Sequence, residues 1–170
     1  MTVQTQKLSP LRLILIVLIS LVLVAIVAIG ATFALSGESL MKFPGKQPTN
    51  IGIQSSGQLA PCPNTPNCVS SYSQDAEHGI EPLAYNSTPT EAIAKLKTVI
   101  QNLERTQIIE ETDNYLYAQF TTPLMGFVDD VEFLLDDTSK VIHVRSASRL
   151  GKSDLGVNRK RVEIIRAELS

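Results

Sequence analysis

The amino-acid sequence predicts an α+β fold, in which an N-terminal transmembrane helix precedes a small domain with a mostly antiparallel four-stranded sheet and two helices on one face. A run of 23 residues without charge, at 13–35, predicts the first helix. Apolar residues at helical spacing follow residue 88 and recur near the C-terminus. Between these two segments lie four short stretches with strand character, and their short links favour antiparallel neighbours.

The composition is that of one ordinary globular domain with an apolar segment attached. The chain has 170 residues, of which 44% are hydrophobic, and its net charge is −2, so it lacks the low hydrophobicity and high net charge of a disordered chain. Collagen-like and disulfide-dense classes are excluded as well. The net charge of −2 argues against a nucleic-acid partner, because nucleic-acid-binding domains are usually basic.

The segment 13–35 is expected to be an uncleaved anchor in the lipid bilayer, preceded by a tail at 1–12. At 1.5 Å per residue it makes about 34 Å of helix, enough to cross a hydrocarbon core of roughly 30 Å. A cleaved signal peptide is the main alternative, although its apolar region is normally shorter and Ala28-Ile29-Gly30 is a weak cleavage site. A buried helix of a soluble protein is the third reading.

The numbers of basic residues on the two sides of the span barely favour one orientation of this single-pass protein over the other. Lys7 and Arg12 precede the span, and Lys42 and Lys46 follow it. The free α-amino group tips the positive-inside count towards a cytoplasmic tail. We therefore expect the domain on the periplasmic or lumenal side.

The two cysteines, Cys62 and Cys68, support that side. Residues 36–88 show no periodicity and predict irregular chain, of which 36–58 is the linker, and the domain is expected at 59–170. Prolines at 61, 63 and 66 restrict the backbone between the thiols, which favours a structural disulfide, and disulfides persist in oxidising compartments. Reduced thiols, a redox-active pair and a zinc site completed by His78 and His143 remain alternatives.

The first helix of the domain is predicted from Thr88 to about Leu103. Thr88 can cap it, Pro89 suits its first turn, and Glu91 completes a capping box. Its buried stripe consists of Ile93, Leu96, Ile100 and Leu103.

Four strands follow, at 107–111, 115–121, 127–135 and 141–147. Alternation in the second strand places Leu116, Ala118 and Phe120 on one face. The last helix is predicted from about Asp154 to Glu168, with Ser153 as its cap and with Leu155 in its buried stripe.

A candidate anion site lies between the fourth strand and the last helix. Free N–H groups and the macrodipole at a helix N-terminus favour anions, and arginine can hold a carboxylate or phosphate by two bonds. The candidate residues are Arg145, Ser148, Arg149, Lys152 and Arg159. The alternative is that the arginines pair with internal carboxylates, those of Asp129, Asp130, Glu132 and Asp154.

Catalytic signals are few. His143 could act as a base with Glu132 orienting it, and Ser146 or Ser148 would then be the nucleophile, but no G-x-S-x-G elbow is present. We assign no catalytic residue, no metal site and no cofactor, and regard an enzyme as less favoured than a binding protein.

Two segments resemble a known family. Residues 61–71 read PCPNTPNCVSS and residues 144–159 read VRSASRLGKSDLGVNR. Together they resemble the domain-of-unknown-function 1499 family over roughly residues 59–168. The resemblance implies no activity, but it marks as family-like Cys62, Cys68, Arg145, Ser148, Arg149, Asp154, Asn158 and Arg159. Similar proteins occur in bacteria, cyanobacteria and plant plastids, often behind a membrane or targeting segment.

The leading functional hypothesis is a membrane-anchored binding or assembly module, with a small anionic ligand or a membrane protein as partner. A hydrolase that uses His143 with a serine, and a purely structural domain, are the alternatives. An enzyme requires His143 within hydrogen-bond reach of a serine or carboxylate in a pocket. A purely structural role predicts that every arginine is satisfied internally.

Overall fold

A computed structural model describes residues 9–36 and 39–170, which form two units divided after residue 38. The described part of the first unit is helix α1 (Pro10–Ser36). Within the described residues it is the one helix long and apolar enough to cross a membrane, and none of its span is buried. A signal sequence near an N-terminus has the same properties.

The second unit, Ser39–Ser170, is an α+β domain built on an antiparallel sheet. Its helices are α2 (Pro89–Asn102) and α3 (Val157–Leu169). Its strands are β1 (Cys68–Ser70), β2 (Leu83–Ala84), β3 (Thr106–Glu111), β4 (Tyr115–Thr121), β5 (Val128–Asp136) and β6 (Val141–Ser148). The sheet order is β1-β6-β5-β4-β3, and β2 also pairs with β6.

The expectation of four strands was wrong, because the sheet has six. The two additional strands, β1 and β2, lie along the free edge of β6. They contain three and two residues. Segments this short show no alternation in the sequence, so they were assigned to irregular chain.

Both helices of the domain pack on one sheet face, as the sequence predicts. The shared core joins Ile93, Leu96 and Ile100 of α2 and Val162 and Ile165 of α3 to the inward side chains of the strands. The capping box of α2 is present: the Glu91 N–H donates to Thr88 Oγ1, and the Thr88 N–H donates to the Glu91 carboxylate.

Helix α3 begins at Val157, three residues later than predicted. Polar side chains ahead of it form turns instead of helix: Ser153 Oγ accepts from the Leu155 N–H, and Asp154 accepts from the Gly156 N–H. Leu155 has φ +55° and is 93% exposed, so its assignment to the buried stripe was wrong.

The opposite sheet face is covered in part by the segment that contains Ile51 and Leu59, most of which the sequence assigned to a linker. Ile51 and Leu59 pack against Tyr115, Tyr117 and Leu134. Because both faces are covered, β5 is buried at eight successive positions despite its alternating sequence.

Candidate functional site

Arg145 lies opposite Glu132 on neighbouring strands and pairs with it at 3.2 Å. The Tyr115 hydroxyl and the Gly52 N–H donate to the same carboxylate. Burial raises the pKa of Glu132, and the bond from Gly52 and the charge of Arg145 act in the opposite direction. Arg145 Nε is buried without a hydrogen-bond partner among the described residues.

Arg149 holds the carboxylate of Asp130 by two hydrogen bonds. Nε donates to Oδ2 at 2.8 Å and Nη2 to Oδ1 at 2.6 Å. The Tyr117 hydroxyl donates to Oδ1 as well. The two nitrogens with which Arg149 could hold an external anion are therefore bonded to a carboxylate of the domain itself.

A third buried pair, Arg161 with Asp129, was not predicted. The two side chains are 2.5 Å apart, and the guanidinium lies 4.7 Å from the centre of the Phe120 ring. The sequence names Asp129 among the carboxylates that could pair with an arginine, and the alternation of β5 places it on the same face as Val131 and Phe133. Its partner could not be identified from the sequence, because the pairing depends on where α3 crosses the sheet.

The remaining candidates for anion binding have different surroundings. Arg159 donates to the carbonyls of Gly79 and Glu77, at 2.7 and 3.0 Å. Ser148 Oγ accepts from Asn158. Lys152 is exposed and forms no ion pair within the part of the chain that the structure describes. Arg145, Ser148, Arg149 and Arg159 are thus each bonded to a different group of the domain.

The two motif segments are joined by buried amides. Asn158 Nδ2 donates to the Asn67 carbonyl and to Ser148 Oγ, each at 3.0 Å. Asn67 Nδ2 in turn donates to the carbonyl of Gly151 at 2.9 Å. Ser146 Oγ donates to Asn158 Oδ1. These bonds fix the loop between β6 and α3 to the segment before β1.

The cysteine pair closes the loop that carries Asn67. The Sγ atoms of Cys62 and Cys68 are at disulfide distance, 2.04 Å. Cys68 is the first residue of β1 and pairs with Ala147 of β6. The cross-link therefore holds one motif segment against the strand that leads into the other.

An apolar groove of about 330 Å³ lies beside this loop. One wall is the turn between β4 and β5, and the other is the loop before α3. Its apolar lining consists of Pro123, Leu124, Met125, Phe127, Leu150, Leu155 and Val157. Asp129 and Ser148 also line it, and their side chains are bonded to Arg161 and Asn158. Clefts of this size and lining are typical of small-molecule sites.

The comparisons with known proteins agree with the paired motifs. The model of a family described as "Protein of unknown function (DUF1499)" matches residues 58–169, which include both motif segments. The chain belongs to the DUF1499 family. No curated protein and no solved structure gives a significant match.

In this DUF1499 domain, His143 does not meet the serines expected from the sequence. Its Nδ1 lies 3.1 Å from Ser71 Oγ, and its ring stacks on Tyr72 with centroids 4.2 Å apart. Ser146 and Ser148 are bonded to Asn158 instead. Burial lowers the pKa of His143, although the charge of Asp136 opposes the shift.

The described residues contain no cluster of three metal-ligating side chains. The sequence did not indicate the Ser71–His143 contact or the groove. Ser71 lies just beyond a strand too short to be recognised, and the groove is formed by turns whose conformation depends on tertiary packing.

Proposed function

We propose that this DUF1499 protein is a membrane-anchored, non-enzymatic binding module whose site is the apolar groove. The groove supports this because it presents apolar side chains that the domain leaves exposed, Leu124 and Leu150 among them. The arginines are less available to bind a ligand, since Arg145 and Arg149 already hold buried carboxylates. An anion-binding role for these cations would require displacement of those carboxylates.

The ligand that fits is an apolar chain, such as a fatty acyl tail. Burial of apolar area supplies the affinity, at about 25 cal/mol per Å². Ser148 lines the same groove, and its hydroxyl, which accepts from Asn158, can still donate to a polar end of the ligand. A fixed polar group in a mostly apolar cleft is the usual way in which such sites gain specificity.

Binding of a dansyl-labelled fatty acid, followed by its fluorescence, tests this function. Val157→Trp places a large ring in the groove and should abolish saturable binding. Ile164→Trp is the matched control, because Ile164 is equally exposed on α3 but does not line the groove. Equal binding by both variants would reject the groove as the site.

The anchor and its orientation are part of the proposal. Helix α1 is long and apolar enough to span a bilayer, and the Cys62–Cys68 pair favours an oxidising compartment. Maleimide labelling of intact cells, before and after reduction, tests the disulfide and the compartment inferred from it. Labelling only after reduction is expected, and ready labelling without reductant would count against the disulfide and remove its support for the periplasmic or lumenal side.

A hydrolase is the second candidate, because Ser71 Oγ and His143 Nδ1 are at hydrogen-bond distance. The lowered pKa of His143 keeps the imidazole neutral and able to accept a proton at neutral pH. Against this role, Ser71 Oγ also accepts from the Val144 N–H and so satisfies a backbone group of β6. Fluorophosphonate labelling that disappears in Ser71→Ala but persists in Ser73→Ala would favour the enzyme.

A further inference from the structure

Leu155 is an apolar side chain that the domain holds out into solvent. It is 93% exposed and its backbone adopts φ +55°, in the left-handed region. That conformation is unfavourable for a residue with a Cβ, and leucine gains no burial from it here. Such residues concentrate where strain serves a function.

Several other exposed apolar residues lie at the same end of the domain. Leu124 and Leu150 line the same groove as Leu155. The N–H groups of Leu40 and Met41 donate to the carbonyls of Pro123 and Leu124, so the first residues of the domain run alongside this turn. We call the exposed residues Leu40, Met41, Leu124, Leu150 and Leu155, with the lysines described next, the end surface.

Three lysines belong to the same segments. Lys42 follows Met41, and Lys46 follows Gly45, at which a Cβ would collide with Leu150. Lys152 lies in the same loop as Leu150. All three are exposed, and none forms an ion pair within the described parts of the chain. Leucines flanked by lysines match a bilayer interface that carries anionic headgroups.

The covalent chain tethers the start of this surface to the anchor. Only residues 37 and 38 separate α1 from Ser39 in the sequence, and extended chain covers at most about 3.6 Å per residue. When α1 spans a bilayer, Leu40 is therefore tethered close to the headgroups. The tether does not bring a water-soluble partner close to this end of the domain in the same way.

We propose that the end surface lies on the bilayer that α1 spans, with Leu155 and Leu124 inserted at the interface and Lys42, Lys46 and Lys152 at anionic headgroups. The contact requires the anchor but no ligand in the groove. It gives the exposed leucines a low-polarity environment, and it orients the opening of the groove towards the membrane.

The test uses the absence of tryptophan from the chain. Full-length Leu155→Trp is reconstituted in vesicles of phosphatidylcholine, with or without phosphatidylglycerol. Its emission should shift to shorter wavelength and be quenched by lipids brominated near the headgroup. Ile164→Trp, at a position on α3 that is 43% exposed and does not belong to the end surface, should show neither effect.

The lysines are tested in the same vesicles. Changing Lys42, Lys46 and Lys152 to Glu in the Leu155→Trp background should weaken quenching in the phosphatidylglycerol vesicles. Quenching that is equal with and without phosphatidylglycerol would overturn the role of the lysines.

An unquenched, long-wavelength emission from the Leu155→Trp variant would overturn the bilayer contact, and a second copy or another protein would then fit the surface. The Val157→Trp result on fatty-acid binding is a separate measurement. The groove proposal can therefore fail while the bilayer contact stands, and the reverse also holds.

Discussion

Arg149 and Asp130 form a buried, two-bond ion pair between the loop after β6 and the middle of the sheet. Nε and Nη2 donate to the two carboxylate oxygens in the parallel geometry that makes such pairs strong. The fork that an external phosphate or carboxylate would need is thus occupied by the domain's own carboxylate. The pair fixes the start of the loop that forms one wall of the groove.

Replacing Arg149 with Ala should lower the free energy of unfolding by roughly 3–5 kcal/mol, because Asp130 would remain buried without its cation. Joint replacement with Arg149→Met and Asp130→Leu should recover most of that loss, since no charge is left unpaired. Urea unfolding of residues 39–170, which have their own core, measures both. A near-neutral Arg149→Ala variant that also loses stabilisation by sulfate would show instead that Arg149 serves an anion site.

Asn158 should tolerate even an isosteric change poorly. In Asn158→Asp the two donors to the Asn67 carbonyl and Ser148 Oγ are lost, and both acceptors then face a fully buried carboxylate. Arg161, which donates to Asn158 Oδ1, offsets only part of this cost. Each unsatisfied buried group costs about 1–3 kcal/mol. The melting temperature should fall markedly, whereas that of the exposed control Asn64→Asp should stay near the wild-type value. Similar melting temperatures for the two variants would mean that Asn158 does not join the motif segments in solution.

Removal of the cross-link in a Cys62→Ser, Cys68→Ser variant should also destabilise the domain. Closing a loop of this length is worth about 2.4 kcal/mol in the chain-entropy model. Asn67 lies inside the loop, so its bonds to the β6–α3 loop should weaken as well. Reductant should lower the stability of the wild type and leave that of the variant unchanged. If reductant has no effect on the wild type, the thiols are not linked.

The elements of the fold that the sequence predicted are those that depend on residues close to one another in the chain. The capping box at Thr88 and the helical spacing of Ile93, Leu96 and Ile100 depend on neighbours within two turns, and α2 follows them closely. Strands β4 and β6 alternate over seven and eight residues. Over such lengths the alternation distinguishes the two faces.

The parts that were missed depend on contacts distant in sequence. Strands β1 and β2 exist because β6 offers a free edge, and the start of α3 depends on how Ser153 and Asp154 bond to the backbone. For the candidate site, the alternative of internal arginine–carboxylate pairs agrees with the contacts of Arg145 and Arg149. The groove could not be predicted, since it needs two turns to be brought together by the whole sheet.

His143 should titrate below its ordinary value of about 6.5, because burial against Tyr72 disfavours the imidazolium. Above that pH both folded and unfolded chains carry a neutral ring, and the residue adds no pH dependence. As the pH falls below it, the unfolded chain binds a proton that the folded chain resists, so the free energy of unfolding decreases.

His143→Gln should therefore lose less stability than the wild type between about pH 7 and pH 5.5. An NMR titration of the two histidine rings, assigned with His78→Gln, measures the pKa directly. A midpoint for His143 at or above about 6.5 would contradict the burial of this ring and would weaken the case for a neutral base beside Ser71.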